Sequence, residues 1–189
     1  MDHMVQNKNN LELEIILVLL KRKAHLREIA RTLDEHHSTI LRKINQLVKE
    51  NVLDYNKEGK NNVFFIKDTL KAKNYAYSAE IYKLNKLIKK HQELSVIFGD
   101  VRKNFNKGMI ILFGSYAKGN PKSDSDIDIY LETKDDKIKT KIKSLHSKLS
   151  VKIGYFDLNS LLIKEIIKNH VIVRGVEEFY ERVKFPGED

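Results

Sequence analysis

The segment Ile111-Leu-Phe-Gly-Ser-Tyr-Ala-Lys-Gly-Asn-Pro-Lys-Ser-Asp-Ser-Asp-Ile-Asp-Ile-Tyr-Leu131 constrains this chain more than any other. One apolar run enters a glycine-bearing polar loop and a second leaves it, which predicts strands over Met109 to Phe113 and Ile127 to Leu131. Gly114 and Ser115 let the backbone approach a ligand closely. Amide N–H groups and the Ser115 hydroxyl then form a concave nest for phosphate oxygens. Lys118 adds a positive charge nearby. Asp126 and Asp128 stand two apart on a strand, which puts both carboxylates on one face. Two hard oxygen donors on one face suit divalent cations that bridge nucleotide phosphates. A lone Asp-x-Asp is weak evidence, because solvated strand ends often carry acids. The conjunction with Gly-Ser, Gly119 and Ser125 points to phosphate chemistry.

Gly114-Ser115 followed by Asp126-Ile-Asp128 resembles the DNA polymerase β-like nucleotidyltransferases, and among them the minimal nucleotidyltransferases of bacteria and archaea. The resemblance extends over about Lys86 to Phe185. It implies that Gly114, Ser115, Lys118 and Ser125 bind a nucleoside triphosphate, ATP first, and that Asp126 and Asp128 hold magnesium (or manganese). It further implies transfer of a nucleoside monophosphate to a hydroxyl of a protein or RNA. Active members carry a third carboxylate on the strand after the next helix. Here that strand reads Ser150-Val-Lys-Ile-Gly-Tyr-Phe-Asp157, with no acid before Asp157. Asp157 serves as a third catalytic carboxylate only if a bulge or register shift turns it inward; otherwise it caps the following helix. Two readings therefore stay open: a transferase, or a non-catalytic regulator whose pocket senses nucleotide or acts as a dimer scaffold. Minimal nucleotidyltransferases are similar to the antitoxin partners of HEPN ribonucleases, so a separate HEPN-type toxin is an implied partner.

The chain ahead of this segment has helical rather than strand periodicity. Helices are predicted at Leu11 to Lys23, His25 to Leu33 and about Ser38 to Asn51, the last capped by Ser38 or Thr39. In the third, Ile40, Leu41, Ile44, Leu47 and Val48 form the apolar side. Short strands at Val52 to Tyr55 and Val63 to Ile66 flank a polar, turn-rich stretch with Gly59, giving a hairpin with a basic tip. Three helices and a hairpin resemble the winged-helix domains of MarR- and ArsR-type regulators, over about Leu11 to Lys67. The resemblance implies that Ser38, Thr39, Arg42, Lys43 and Gln46 face the major groove of double-stranded DNA, with Lys57, Lys60 and Asn62 of the wing near phosphates. The competing reading is a protein-docking module with an ordinary solvated face. His36 and His37 read as polar filler.

A long helical stretch, Leu70 to about Phe105, connects the two, with a break near Tyr77-Ser78 or Gly99. Residues 71–107 hold nine Lys/Arg against three acids, so much of the net charge of +9 lies in this connector. After Leu131 the pattern predicts helices at about Asp136 to Leu149 and Leu158 to Asn169, strands at Val151 to Phe156 and Val171 to Val173, and a short helix around Glu177 to Val183. The expected fold class is α+β: a winged helix (1–68), a helical connector (69–107) and a small mixed-sheet nucleotidyltransferase domain (108–189). A homodimer is expected, since regulators of this shape read two half-sites. With no cysteine, a metal must be held by carboxylate or imidazole. The longest apolar run, Ile15 to Leu20, is too short to span a bilayer, so a cytoplasmic protein without membrane partners is expected.

Overall fold

A computed structural model of the chain describes residues 10–186, which divide into two compact units: 10–79 with 184–186, and 80–183. The polar opening, to which the sequence assigns no role, and Gly187 lie outside the described residues. Among the described residues no helix is long and apolar enough to cross a membrane.

The first unit runs α1 (Leu11–Leu19), β1 (Ala24–His25), α2 (Leu26–Leu33), α3 (His37–Lys49), β2 (Leu53–Glu58) and β3 (Asn61–Ile66). This is the expected winged helix, with a two-residue strand that the sequence does not announce. β1 pairs with β3 and completes an antiparallel sheet in the order β1-β3-β2. Ile15, Ile16, Ile29, Ile40, Ile44 and Leu47 are fully buried where the helices meet, each stabilising the fold by roughly 1.5–3 kcal/mol. Short polar side chains take the left-handed turns, at Asp34 (φ 52°) after α2 and Asn51 (φ 61°) after α3.

Three local expectations differ, the first being that α1 stops at Leu19 where the sequence predicts a helix to Lys23. Neither Ser38 nor Thr39 caps α3; the helix begins at His37, and His36 takes the cap position without a side-chain bond. The wing is longer than the apolar pattern indicates, since strand pairing continues to Glu58↔Asn61 and leaves only Gly59 and Lys60 in the turn. Gly59 has φ +61°, so polar residues on either side can keep their ladder while the chain reverses at the glycine.

α4 (Leu70–Lys90) spans the division between the units, and α5 (Glu93–Asn104) follows. The break falls at His91 and Gln92, neither at Tyr77-Ser78 nor at Gly99, which stays inside α5. His91 lies at this corner with its ring edge-on to Tyr116 at 5.2 Å, a tertiary contact that local propensity does not encode.

The second unit continues with β4 (Ile110–Leu112), α6 (Gly114–Ala117), β5 (Ile127–Glu132), α7 (Asp136–Lys143), β6 (Leu149–Gly154), α8 (Leu161–Lys168), β7 (Val171–Arg174) and α9 (Val176–Arg182). Its sheet has the order β6-β5-β4-β7, with β4 antiparallel to both neighbours and β5 parallel to β6. Ile127, Ile129, Leu131, Leu149 and Val151 turn one sheet face onto Leu94, Phe98 and Val101 of α5. Two features brace this core. Arg174 donates from Nε to the Gly108 carbonyl at 3.0 Å, and its two terminal nitrogens reach the carbonyls of Phe105 and Lys107, fixing the turn into β4. Glu80, 1% exposed, accepts from Lys83 Nζ at 3.1 Å and Tyr180 Oη at 3.1 Å, with His170 Nε2 at 3.4 Å. Burial alone would raise the Glu80 pKa; the His170 ring and the Lys83 ammonium outweigh it and hold the group down to about 2.

Candidate functional site

Antiparallel pairing of β4 and β5 decides the geometry of the Gly-Ser turn and the acidic strand. Leu112 lies opposite Ile129, and the Phe113 N–H donates to the Asp128 carbonyl at 2.9 Å. The C-terminal end of β4, which leads through Phe113 into Gly114, therefore meets the N-terminal end of β5, which carries Asp128. Contact between them is intimate. A Cβ added at Gly114 would come 2.3 Å from Asp128 Oδ2 and 3.1 Å from its Cγ, and Gly114 has φ +69°. Glycine is thus required twice over, by its dihedral and by the carboxylate against it. Ser115 follows in the first turn of α6, where backbone N–H groups lack intrahelical acceptors.

Asp128 is half-buried on β5. Asp126 is exposed and stands just before the strand, whose first N–H, from Ile127, donates to the Lys148 carbonyl at 2.8 Å. In the parallel register Asp128 pairs with Ser150 and Tyr130 with Lys152, so Ser150 is the β6 neighbour of Asp128 on the same sheet face.

Other expected site residues are engaged differently. Asp157 is not turned inward. It lies three residues past Gly154, which pairs with Glu132 at the opposite end of β5 from Asp128, four residues or about 13 Å away along the strand. Its Oδ1 accepts from the Asn159 N–H at 3.0 Å, and its carbonyl accepts from Ser160 at 3.0 Å, so it shapes the turn into α8. Lys118 forms an ion pair with Glu165 of α8 at 2.7 Å, and that lysine holds the Glu165 carboxyl below its usual range. The Ser125 hydroxyl accepts from the Lys122 N–H at 2.8 Å while the Ser125 N–H donates back to the Lys122 carbonyl. Its hydroxyl therefore holds the loop in shape, helped by Lys148 Nζ on the Ser123 carbonyl at 2.8 Å.

Among the described residues no group of three or more His, Asp or Glu side chains converges as a metal cage. The donors present still fit a divalent cation of the hard, oxygen-seeking kind: the Asp128 carboxylate lies against a glycine cradle and Asp126 is exposed two residues earlier, with phosphate and water oxygens able to complete the shell.

The family model described as the nucleotidyltransferase domain matches residues 94–179. Over these residues, the second unit from α5 to α9, the chain is similar to that family. The match starts at α5 and includes the whole sheet, so the helix ahead of β4 belongs to the domain's recognisable pattern. No curated protein sequence matches the chain. Among solved structures, the chain is similar to the homodimeric winged helix-turn-helix DNA-binding domain of a possible ArsR-family transcriptional regulator from Mycobacterium bovis, at 16% identity and TM-score 0.32, covering 46% of this chain and 73% of that one. It is also similar to the adhesin competence repressor of Streptococcus pyogenes, at 21% identity and TM-score 0.35, covering 49% of this chain and 76% of that one. The winged-helix assignment rests on element order and pairing, set out above.

In the first unit, the exposed side of α3 carries Ser38, Arg42, Asn45, Gln46 and Lys49, which line one open depression together with Leu41. Asn45 and Lys49 continue the i, i+4, i+7, i+11 stripe begun by Ser38 and Arg42, a signal present in the sequence but not used for those two positions. Thr39 is half-buried. Lys43 faces away from this surface, its Nζ on Glu12 of α1 at 2.7 Å, so it braces two helices and is not a groove contact. Gln46 donates to Glu50 at 3.1 Å. Glu50 also holds Lys71 at 2.8 Å and Tyr75 Oη at 3.0 Å; Lys71 first, then Gln46 and Tyr75, bring its pKa down to about 2. Burial and this carboxylate together push the Tyr75 hydroxyl up to about 12. Lys57 and Lys60 are exposed on the wing. Asn62, opposite Lys57, is half-buried, and its carbonyl lies 3.2 Å from His25 Nδ1.

Proposed function

We propose that this chain is a DNA-binding nucleotidyltransferase that takes a nucleoside triphosphate, ATP in the first instance, and transfers its monophosphate to a hydroxyl of a protein or RNA. The observation that carries the reading is the Asp128 carboxylate packed against a left-handed Gly114, at the mouth where β4 ends and β5 begins. Gly114 and Ser115 offer backbone N–H groups and a hydroxyl to phosphate oxygens. Asp126 and Asp128 would hold magnesium or manganese, which when bound supplies charge neutralisation at the phosphates. The acceptor hydroxyl releases its proton to solvent water as its oxygen bonds to the α-phosphorus and the bond to pyrophosphate breaks, pyrophosphate leaving. Lys118 reaches phosphate only by leaving Glu165. The double-stranded DNA reading is supported by the exposed face of α3, where Arg42, Asn45 and Lys49 align, and by the wing lysines. A homodimer on two half-sites, a cytoplasmic setting and a separate HEPN-type protein as acceptor complete the proposal.

One specific observation favours a second reading. Ser150, the β6 neighbour of Asp128 on the same sheet face, is not an acid, and Asp157 is committed to the α8 turn. A pocket that binds nucleotide without transferring it, and signals occupancy to the winged helix, fits that arrangement. Incubation with α-labelled ATP, magnesium and candidate acceptors separates the two. Label transfer abolished in both Asp126→Ala and Asp128→Ala supports the enzyme. Nucleotide binding without any transfer, combined with ATP-dependent DNA affinity, supports the sensor.

A further inference from the structure

The sequence periodicity places Leu41 on the buried side of α3, and the structure does not. Ile40, Ile44 and Leu47 are 0% exposed, whereas Leu41 is 40% exposed. A single exposed leucine is ordinary on a protein surface. The neighbourhood of this one is not, because it shares an open depression with Ser38, Arg42, Asn45 and Lys49, all hydrogen-bond donors or cations. Lys43, the adjacent cation in sequence, is withdrawn to Glu12. The result is an apolar tip set among polar readers, in the first half of the helix, where recognition helices approach base edges.

We propose that Leu41 is a specificity-determining residue that contacts the C5-methyl group of thymine in the major groove; this rests on the DNA-binding reading above. The major-groove edges of the four base pairs present hydrogen-bond donors and acceptors, and the thymine methyl is the apolar feature among them. Arg42, one residue further on, has the forked donors that suit guanine, and Asn45, one turn further, has the amide that suits adenine. Leu41 adds the contact that neither polar neighbour can make. At 40% exposed it lies outside the fully buried set of Ile40, Ile44 and Leu47, so truncating it costs the core less than truncating any of those three.

The test uses the full-length chain. Duplexes are enriched from a randomised library, and affinity for the enriched duplex is measured with each thymine replaced in turn by deoxyuridine, which removes only the C5-methyl. The wild-type protein is expected to lose about fourfold in affinity at one thymine per recognition helix, the value of burying one methyl group. Leu41→Ala is expected to bind the thymine and uracil duplexes equally, at the affinity the wild type shows for uracil. If no replacement affects the wild type, or Leu41→Ala still discriminates, the inference is overturned while DNA binding stands. If Leu41→Ala instead changes the sedimentation of the free protein and leaves thymine discrimination intact, Leu41 belongs to a contact between copies and the inference is overturned. If no duplex is enriched, the DNA-binding reading fails and this inference fails with it.

Discussion

Replacing Gly114 by alanine separates two demands on that position. Its φ of +69° is a conformation that an L-residue adopts at a penalty of about 1 to 2 kcal/mol. Its missing Cβ leaves the space that Asp128 Oδ2 occupies, 2.3 Å from where the new carbon would be. Gly119, in the same loop region, has φ +79° and nothing within 4 Å of its Cβ position. Gly119→Ala therefore meets the dihedral penalty alone, whereas Gly114→Ala must also push the Asp128 carboxylate aside. Both variants should lower the melting temperature, by roughly 5 to 15 °C for a unit of this size. Only Gly114→Ala should also lose magnesium-dependent binding of a fluorescent ATP analogue, by at least about tenfold, because the carboxylate that it displaces is a proposed cation ligand. Scanning calorimetry and fluorescence anisotropy on the two variants read out both effects. Wild-type affinity in Gly114→Ala, or an equal loss in Gly119→Ala, would refute the reasoning.

Ser150→Asp places an acid beside Asp128; without metal it should destabilise the domain by about 0.5 kcal/mol, and it should tighten manganese binding by about tenfold in titration calorimetry. Arg42→Ala should weaken specific DNA binding by about 1 to 3 kcal/mol in an electrophoretic shift assay, whereas Lys43→Ala should leave DNA affinity unchanged and remove roughly 1 kcal/mol of stability through its Glu12 pair. The folded pKa of Glu80, about 2, lies below its unfolded value of 4.5, so its stabilisation is complete above pH 4.5 and is lost as pH falls from 4.5 towards 2. That contribution is about 3 kcal/mol, and thermal melts of Glu80→Gln should lose the corresponding slope in that window.

Most of the architecture is written in local pattern. The apolar period of the first three helices, the change to short apolar runs after Gly108 and the Gly-Ser to Asp-x-Asp spacing all survive in the structure, because each reflects burial on one helix stripe or sheet face. Features that depend on tertiary partners do not. The two-residue strand Ala24–His25 exists only because β3 offers an edge, and the break between α4 and α5 falls at His91, whose ring lies against Tyr116. Side-chain commitments were the least legible part of the site. Lys43, Lys118 and Ser125 have the chemistry expected of ligand contacts, yet each bonds to a protein group close by: Glu12, Glu165 and the Lys122 amide. Leu41 departs for a geometric reason, since the helix turns it past the edge of the buried stripe. Asp157 is the instructive acid. Its position at the far end of a parallel strand becomes visible only once the Asp128↔Ser150 register is known.

Equilibrium binding of radiolabelled ATP to the full-length protein, with magnesium and with chelator, compared between wild type and Asp128→Asn, addresses the central claim most directly. Saturable binding to the wild type that disappears with chelator and falls at least about tenfold in Asp128→Asn is the predicted result. Binding that is indifferent to both magnesium and Asp128, or no binding at all in the folded wild type, would contradict the account.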